Sequence, residues 1–195
     1  MRYSADHKDR VRKQIVRAAS RRFRGRGSEG VPIADLMRDL ELTHGGFYRH
    51  FPCKEELFRE ALLDGLAEGK ARMAAAVEGA PAGQELEAII NAYLSPEHCM
   101  NPAVGCPIAA LTTEVARHSK KTRSRFARAL EGHGDELGRF LPGRTAAARR
   151  SAGMLLFAGM AGVLNLARAA PDKAVRRRIL EEGRAFYIRA MRGKS

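Results

Sequence analysis

An all-α protein is predicted, and three observations carry that reading. Apolar residues recur at three- and four-residue spacing along most of the chain, and strand-like alternation is nearly absent. Glycine and proline fall where those periodic stretches stop. The composition, 45% hydrophobic and 29% charged, belongs to a packed chain rather than a disordered one. At 195 residues the chain makes one large domain or two small ones, with a sizeable core.

In the first helix Val11, Ile15, Ala18, Ala19 and Phe23 share one face, and Lys13, Arg17, Arg21 and Arg24 are expected on the other. Gly25, Gly27 and Gly30 stop it. Pro32 suits the first position of a second, two-turn helix carrying Ile33, Leu36, Met37 and Leu40. After Glu41-Leu42, Thr43 is placed to cap a third short helix with Phe47, Tyr48 and Phe51, which Pro52 ends. A fourth, longer helix runs from Lys54 towards Val77 with Leu57, Phe58, Leu62 and Leu66 inward. The stretch Glu78 to Gly83 is a linker.

Beyond it, Leu86, Ile89, Ile90, Tyr93 and Leu94 form an amphipathic face. Ser95 to Pro107, with three prolines, reads as a loop or broken helix. Ile108, Leu111 and Val115 follow, then Phe126, Leu130, Leu137, Phe140 and Leu141. Ala146 to Ala170 is a long helix, apolar all round from Ala152 to Leu164 and so expected to be buried on every side. A last helix carries Val175, Ile179, Gly183, Phe186 and Ala190. The total is about nine helices.

Composition bounds the function. Lys plus Arg number 35 against 22 Asp plus Glu, a formal charge of +13 and a pI near 10.4, which suits a polyanionic partner. The longest uncharged apolar run, Ala152 to Leu164, is thirteen residues, too short for a membrane span. The N-terminus has no apolar signal region, and three cysteines make neither a disulfide framework nor a CxxC zinc pair. A reduced, cytoplasmic protein without cofactor or metal is expected. Gly25 to Gly30 lacks the Lys-Ser/Thr pair and preceding strand of a phosphate loop, and no catalytic constellation stands out, so an enzyme is not expected.

Two short helices joined by a tight break and braced by a longer first helix make a helix-turn-helix. The segment Thr43-His-Gly-Gly-Phe-Tyr-Arg-His50 agrees, since it has hydrogen-bond donors and no acidic side chain. Thr43 and Tyr48 have hydroxyls for phosphate, Gly45 and Gly46 let the backbone approach a duplex, and His44 and Arg49 suit base edges or phosphates. Phe47 and Phe51 face inward. Arg2, Lys8, Arg10, Arg12, Lys13, Arg17, Arg21, Arg22, Arg24 and Arg26 face only Asp6 and Asp9, a local charge of +8. As a patch beside a helix-turn-helix, these suit phosphate contact.

From Ile15 to about Leu57 the sequence resembles the TetR family of bacterial transcriptional regulators. The match rests on Ile15, Ala18-Ala19, Phe23, Gly27, Gly30, Ile33-Ala34-Asp35-Leu36, Leu42-Thr43, Phe47-Tyr48-Arg49-His50-Phe51 and Lys54-Glu55-Glu56-Leu57. The resemblance implies an N-terminal three-helix DNA-binding domain, 1–53, and a helical effector-binding and dimerisation body, 54–195. It implies a homodimer on a palindromic double-stranded DNA operator, and repression relieved by a small molecule. Thr43, Tyr48 and Lys54 would then hold phosphates, with His44, Gly45 and Arg49 nearest the bases. Two departures stand out. Glu41 replaces the family's usual turn glycine, costing roughly 1 kcal/mol if the backbone there is left-handed. Cys53 replaces a common serine cap and is a weaker one.

The body is the default place for an effector cavity, with Met73, Tyr93, Cys106, Leu111, Met154 and Phe157 as candidate lining. The absence of an acidic cluster favours neutral or anionic effectors. Three readings stand for Cys99 and Cys106: buried small hydrophobes, a sensor of oxidants or electrophiles helped by the helix led by Pro107, and a metal site with His98 or His118. The segment Gly105 to Ala110 also resembles a TetR subgroup with a cysteine at this place, some of whose members respond to reactive compounds. Small residues at Ala146, Ala147, Ala148, Ala152, Gly153, Ala158, Gly159, Ala161 and Gly162, with Ile179, Gly183, Phe186 and Ala190, suit a two-fold four-helix interface. A non-specific architectural nucleic-acid binder is the alternative, favoured by the total charge and by Arg117, Lys120, Lys121, Arg123, Arg125 and Arg128.

Overall fold

The computed structural model describes residues 5–192. Ten α-helices and no strands are present among them: α1 (Ala5–Arg26), α2 (Ile33–Arg38), α3 (His44–Phe47), α4 (Lys54–Glu78), α5 (Glu85–Tyr93), α6 (Pro96–Met100), α7 (Pro107–Val115), α8 (Lys120–Gly138), α9 (Ala146–Ala169) and α10 (Lys173–Arg192). A 3-10 turn at Pro102–Val104 separates α6 from α7. The segment expected as a loop or broken helix thus contains a short helix. Ser95 caps it by accepting from the His98 N–H at 3.1 Å, with Pro96 at the first position.

The N-terminal unit closes around Ile15, Ala19, Phe23, Leu36, Met37, Phe47 and Phe51, all essentially inaccessible. The first turns of α4 complete this core: Leu57, Phe58 and Leu62 are buried, and the Phe58 ring lies 5.8 Å from that of Phe23. Because α4 continues without a break to Glu78, one rod belongs both to the helix-turn-helix core and to the body.

Two contacts tie α1 to the body. Arg24, expected on the solvent face, is instead buried. It donates to the Ser20 carbonyl (3.1 Å) and the Gly105 carbonyl (3.0 Å), and pairs with Glu68 at 2.6 Å. A buried guanidinium needs such partners, and here three elements supply them. At the end of α1, Gly27 takes φ 71° and turns the chain so that the Ser28 N–H meets the Glu114 carboxylate of α7 at 3.0 Å.

In the body, α8 and α9 approach through glycines. A side chain at Gly153 would overlap the carbonyl oxygen of Gly134 and come within 2.9 Å of the Gly138 nitrogen. Helix α10 packs on α9 where Gly159 receives Tyr187 and Gly183 receives Val163. Gly153 and Gly183 therefore serve contacts within the chain. The expectation that α9 is covered on every side is not met. Its inner face holds Leu156, Phe157, Met160, Ala161, Leu164 and Ala167, whereas Leu155 and Leu166 are 74% and 66% exposed. An 18-residue stretch of α9 reaches a mean hydropathy of 1.4, enough by length and composition alone to cross a membrane, but a packed core helix passes the same test and one face of α9 is buried here.

Candidate nucleic-acid interface and effector cavity

Helix α2 ends in a Schellman motif. The Leu42 N–H reaches the Met37 carbonyl and the Glu41 N–H the Arg38 carbonyl, both at 2.9 Å, and Glu41 between them has φ 59°. The left-handed residue that glycine fills most easily is therefore a glutamate here. Replacing Glu41 by glycine should stabilise the chain by roughly 0.5–1 kcal/mol, because relief of a ~1–2 kcal/mol backbone cost exceeds glycine's entropic penalty of about 0.5–1 kcal/mol. The denaturation midpoint in urea measures this; an unchanged or lower midpoint contradicts it.

Thr43 then caps α3, its Oγ1 accepting from the Gly46 N–H at 3.2 Å. Phe47 and Phe51 stack with ring centres 5.5 Å apart and hold the short helix from beneath. This leaves Thr43, His44, Gly45, Tyr48 and Arg49 exposed, and Gly46 and Lys54 half-buried. A side chain at Gly45 would meet nothing within 4 Å, so no internal packing demands glycine there. Cys53 stands at the N-cap of α4 without a side-chain cap bond.

Fewer cations face outward than the sequence suggested. Arg12 donates to the His50 carbonyl and to Glu60, with its guanidinium 4.1 Å from the Phe51 ring centre. Arg22 pairs with Asp39, and Arg24 is the buried tie described above. Arg2 lies outside the described residues. Lys8, Arg10, Lys13, Arg17, Arg21 and Arg26 are exposed. The field beside α3 is still positive: burial first, then Lys8, Arg12, Arg49 and His7, lower the pKa of His50.

The body encloses a cavity of about 270 Å³. Of the expected lining, Met73, Tyr93, Cys106 and Phe157 border it. Leu111 and Met154 do not: Leu111 is core, and Met154 lies where a side chain at Gly134 would meet it. Arg72, His98 and His133 border the cavity and were missed, because a polar residue on an amphipathic helix reads as solvent-facing. Tyr93 stands edge-on to His98 at 4.8 Å and to Phe157 at 5.5 Å, and His133 lies 5.1 Å from Phe157.

His98 organises the rim. Its Nδ1–H donates to the Tyr93 carbonyl at 2.6 Å, and its Nε2 accepts from the Cys106 N–H at 2.9 Å, which fixes a neutral ring. Burial, with the Arg168 and Arg72 charges behind it, pushes its pKa down to about 4 against the pull of the Tyr93 carbonyl. The unfolded chain takes up this proton near pH 6.5 and the folded chain only near pH 4. Stability from this group is therefore complete above pH 6.5 and lost progressively as pH falls towards 4. Replacing His98 by glutamine should flatten that part of the profile of melting temperature against pH; an unaltered slope contradicts the assignment.

Cys106 is buried at the cavity wall and stands at the N-cap of α7. Cys99 is also buried, and burial raises its pKa. Arg168 donates to the Cys99 carbonyl at 3.1 Å and the His98 carbonyl at 2.9 Å. No cluster of three His, Cys, Asp or Glu suited to a metal occurs among the described residues.

Comparison with known proteins bears on the N-terminal segment and on the fold. Residues 15–61 match the bacterial regulatory proteins, tetR family. The chain is 32% identical over 89 residues to the uncharacterized HTH-type transcriptional regulator YfiR of Bacillus subtilis, across 46% of this chain and 42% of that one. It thus spans less than half the length of this curated relative. A TetR transcriptional regulator from Chloroflexus aurantiacus superimposes with TM-score 0.75 at 22% identity, covering 93% of this chain and 96% of the other. A TetR-family regulator from Cytophaga hutchinsonii gives 0.77 at 20%, covering 95% and 96%. At such identities the structural likeness establishes the fold.

Proposed function

We propose that the chain, whose residues 15–61 match the tetR family of bacterial regulatory proteins, acts in the cytoplasm as a homodimeric repressor that binds a palindromic operator and releases it when an effector fills the body cavity. The observation that carries this is the outward set Thr43, His44, Gly45, Tyr48 and Arg49 on a short helix anchored by buried Phe47 and Phe51. The open side of Gly45 fits close approach by a duplex. Thr43, Tyr48 and Lys54 hold phosphates, and His44 and Arg49 reach base edges, with the backbone at Gly45 and Gly46 close to the duplex. The N-terminal three-helix unit reads DNA, and the body from α4 onward receives effector and partner.

Dimerisation is supported by exposed Leu155, Leu166 and Phe186, with Ala158 exposed and Gly162 open between them. Two copies of α9 and α10 meeting about a two-fold axis would cover this face. The effector is either held non-covalently or reacts with the Cys106 thiol. Retained operator binding after confirmed alkylation of Cys106 excludes the covalent route.

Selection of bound fragments from random DNA tests the whole reading. Tyr48→Phe should weaken binding about tenfold on every site, since a phosphate contact carries no sequence information, whereas Arg49→Ala should change the preferred sequence. Raising salt should leave a large preference for one palindrome. Equal loss on all DNA would instead favour an architectural binder using the exposed cations of α8, Lys120, Lys121, Arg123, Arg125 and Arg128, with Arg117 before it.

A further inference from the structure

The cavity has a definite chemistry. Its walls are mostly apolar or aromatic: Met73, Ile89, Tyr93, Val104 and Phe157, with the His133 ring. At about 270 Å³ it lies just below the ~300–1,000 Å³ of drug-sized ligand pockets, which limits an occupant to one or two rings. The mutually edge-on and tilted rings of Tyr93, Phe157 and His133 leave faces and edges for another ring.

One buried polar atom on this wall has only a weak partner. Tyr93 is only 7% exposed, and its hydroxyl has the Cys106 thiol, a weak acceptor, beside it and no oxygen or nitrogen partner. A buried hydroxyl whose only neighbour is a weak sulfur acceptor gains from a stronger bound acceptor. The two ring nitrogens of His98 are already used, and His133 Nδ1 bonds the Ala129 carbonyl at 3.0 Å.

Charge selects the acceptor. The Arg72 guanidinium borders the cavity, is partly desolvated, and interacts electrostatically with Tyr93 and Cys106. Arg168 acts on the same two groups from behind. Arg24 is neutralised by Glu68, which also acts on Arg72. Glu97 is the acidic residue on the lining, and it is exposed at the mouth. A cationic occupant would therefore meet the Arg72 guanidinium at the wall with Arg168 behind it, whereas an anion is attracted by both.

We propose that the cavity takes a one- or two-ring aromatic carboxylate, with its ring against Tyr93, Phe157 and His133 and its carboxylate between the Tyr93 hydroxyl and Arg72. This deepens the effector reading above and rests on it for its regulatory meaning, but not for binding itself. An anion here draws Arg72 inward and gives the Tyr93 hydroxyl a stronger acceptor than the Cys106 sulfur. The Gly105-Cys106 wall that it presses is bonded directly to Arg24 of α1.

The test is calorimetric titration of the purified full chain, without DNA, with benzoate, trans-cinnamate and 1-naphthoate. The matched primary amides and benzyltrimethylammonium are titrated beside them. The expected result is at least one carboxylate binding in the micromolar range, with its amide at least tenfold weaker and the ammonium not binding. Arg72→Gln, at an exposed position, should bring that carboxylate down to the affinity of its amide, and Tyr93→Phe should weaken it about tenfold. Unfolding curves of both variants establish that they fold. No carboxylate tighter than millimolar, an amide or ammonium bound equally well, or an Arg72→Gln variant with undiminished affinity would each overturn the proposal. Operator release is measured separately. Carboxylate binding by a protein that ignores DNA would refute the repressor reading alone, and operator release by other compounds with no carboxylate bound would refute this one alone.

Discussion

Replacing Gly153 by alanine is expected to lower stability by about 2–3 kcal/mol, because its new Cβ would press on backbone rather than on a movable side chain. The atoms it would meet, the Gly134 carbonyl oxygen and the Gly138 nitrogen, belong to the neighbouring helix, so α8 and α9 must move apart. That loosens contacts along two long helices, one of which contributes Phe157 to the cavity. In a chain of this size the loss should appear as a fall of roughly 5–10 °C in melting temperature. Gly132→Ala is the matched control. A side chain at Gly132 meets nothing within 4 Å, so alanine should gain about 0.5–1 kcal/mol from helix propensity. Equal melting temperatures for the two variants would show that the helices do not approach through these glycines.

Replacing Arg24 by leucine is the second large effect, expected near 3 kcal/mol. The change strips the Gly105 carbonyl of its donor and Glu68 of its cation. Asp64 adds a pH signature. Its pKa is raised by burial and by Glu68, and held back by the nearby Ser20 hydroxyl and by Arg17 and Arg24. Without Arg24 it rises further. A carboxyl whose folded pKa exceeds its unfolded value destabilises once pH passes the unfolded value near 3.8, so the penalty of Arg24→Leu should grow from acid to neutral pH. Denaturant titrations at pH 4 and pH 7 measure it. An equal penalty at both would remove Asp64 from the network. If Gly105 transmits the state of the cavity to α1, this variant should also bind operator without responding to effector.

Helix identity was legible because amphipathic spacing and punctuation agreed. Ile15, Ala19 and Phe23 lie inward as their period requires, and the left-handed backbone at Glu41 was signalled only by the glycine that the resembled family places there. Helix α6 was legible in principle, since Ser95-Pro96 is a cap followed by a proline suited to the first turn. Arg24 was not. Its burial depends on Gly105 and Glu68, distant in sequence, and periodicity carries no trace of such partners. The same limit separated Tyr93 and Phe157, which border the cavity, from Leu111 and Met154, equally apolar but turned into other packing. Helix α9 was misread in a different way. Small and apolar residues on every side do not by themselves say whether a helix is covered by its own chain.

Along α9, Phe157 borders the cavity, while Leu155 and Ala158, two residues before it and one after, look outward. Anything seated on the outer face and anything held inside thus lean on opposite sides of one rigid rod, a single helix thick. Linkage then demands reciprocity: if occupancy tilts that rod, association of two chains must alter with it, and diluting the protein must change its appetite for the small molecule by the same factor.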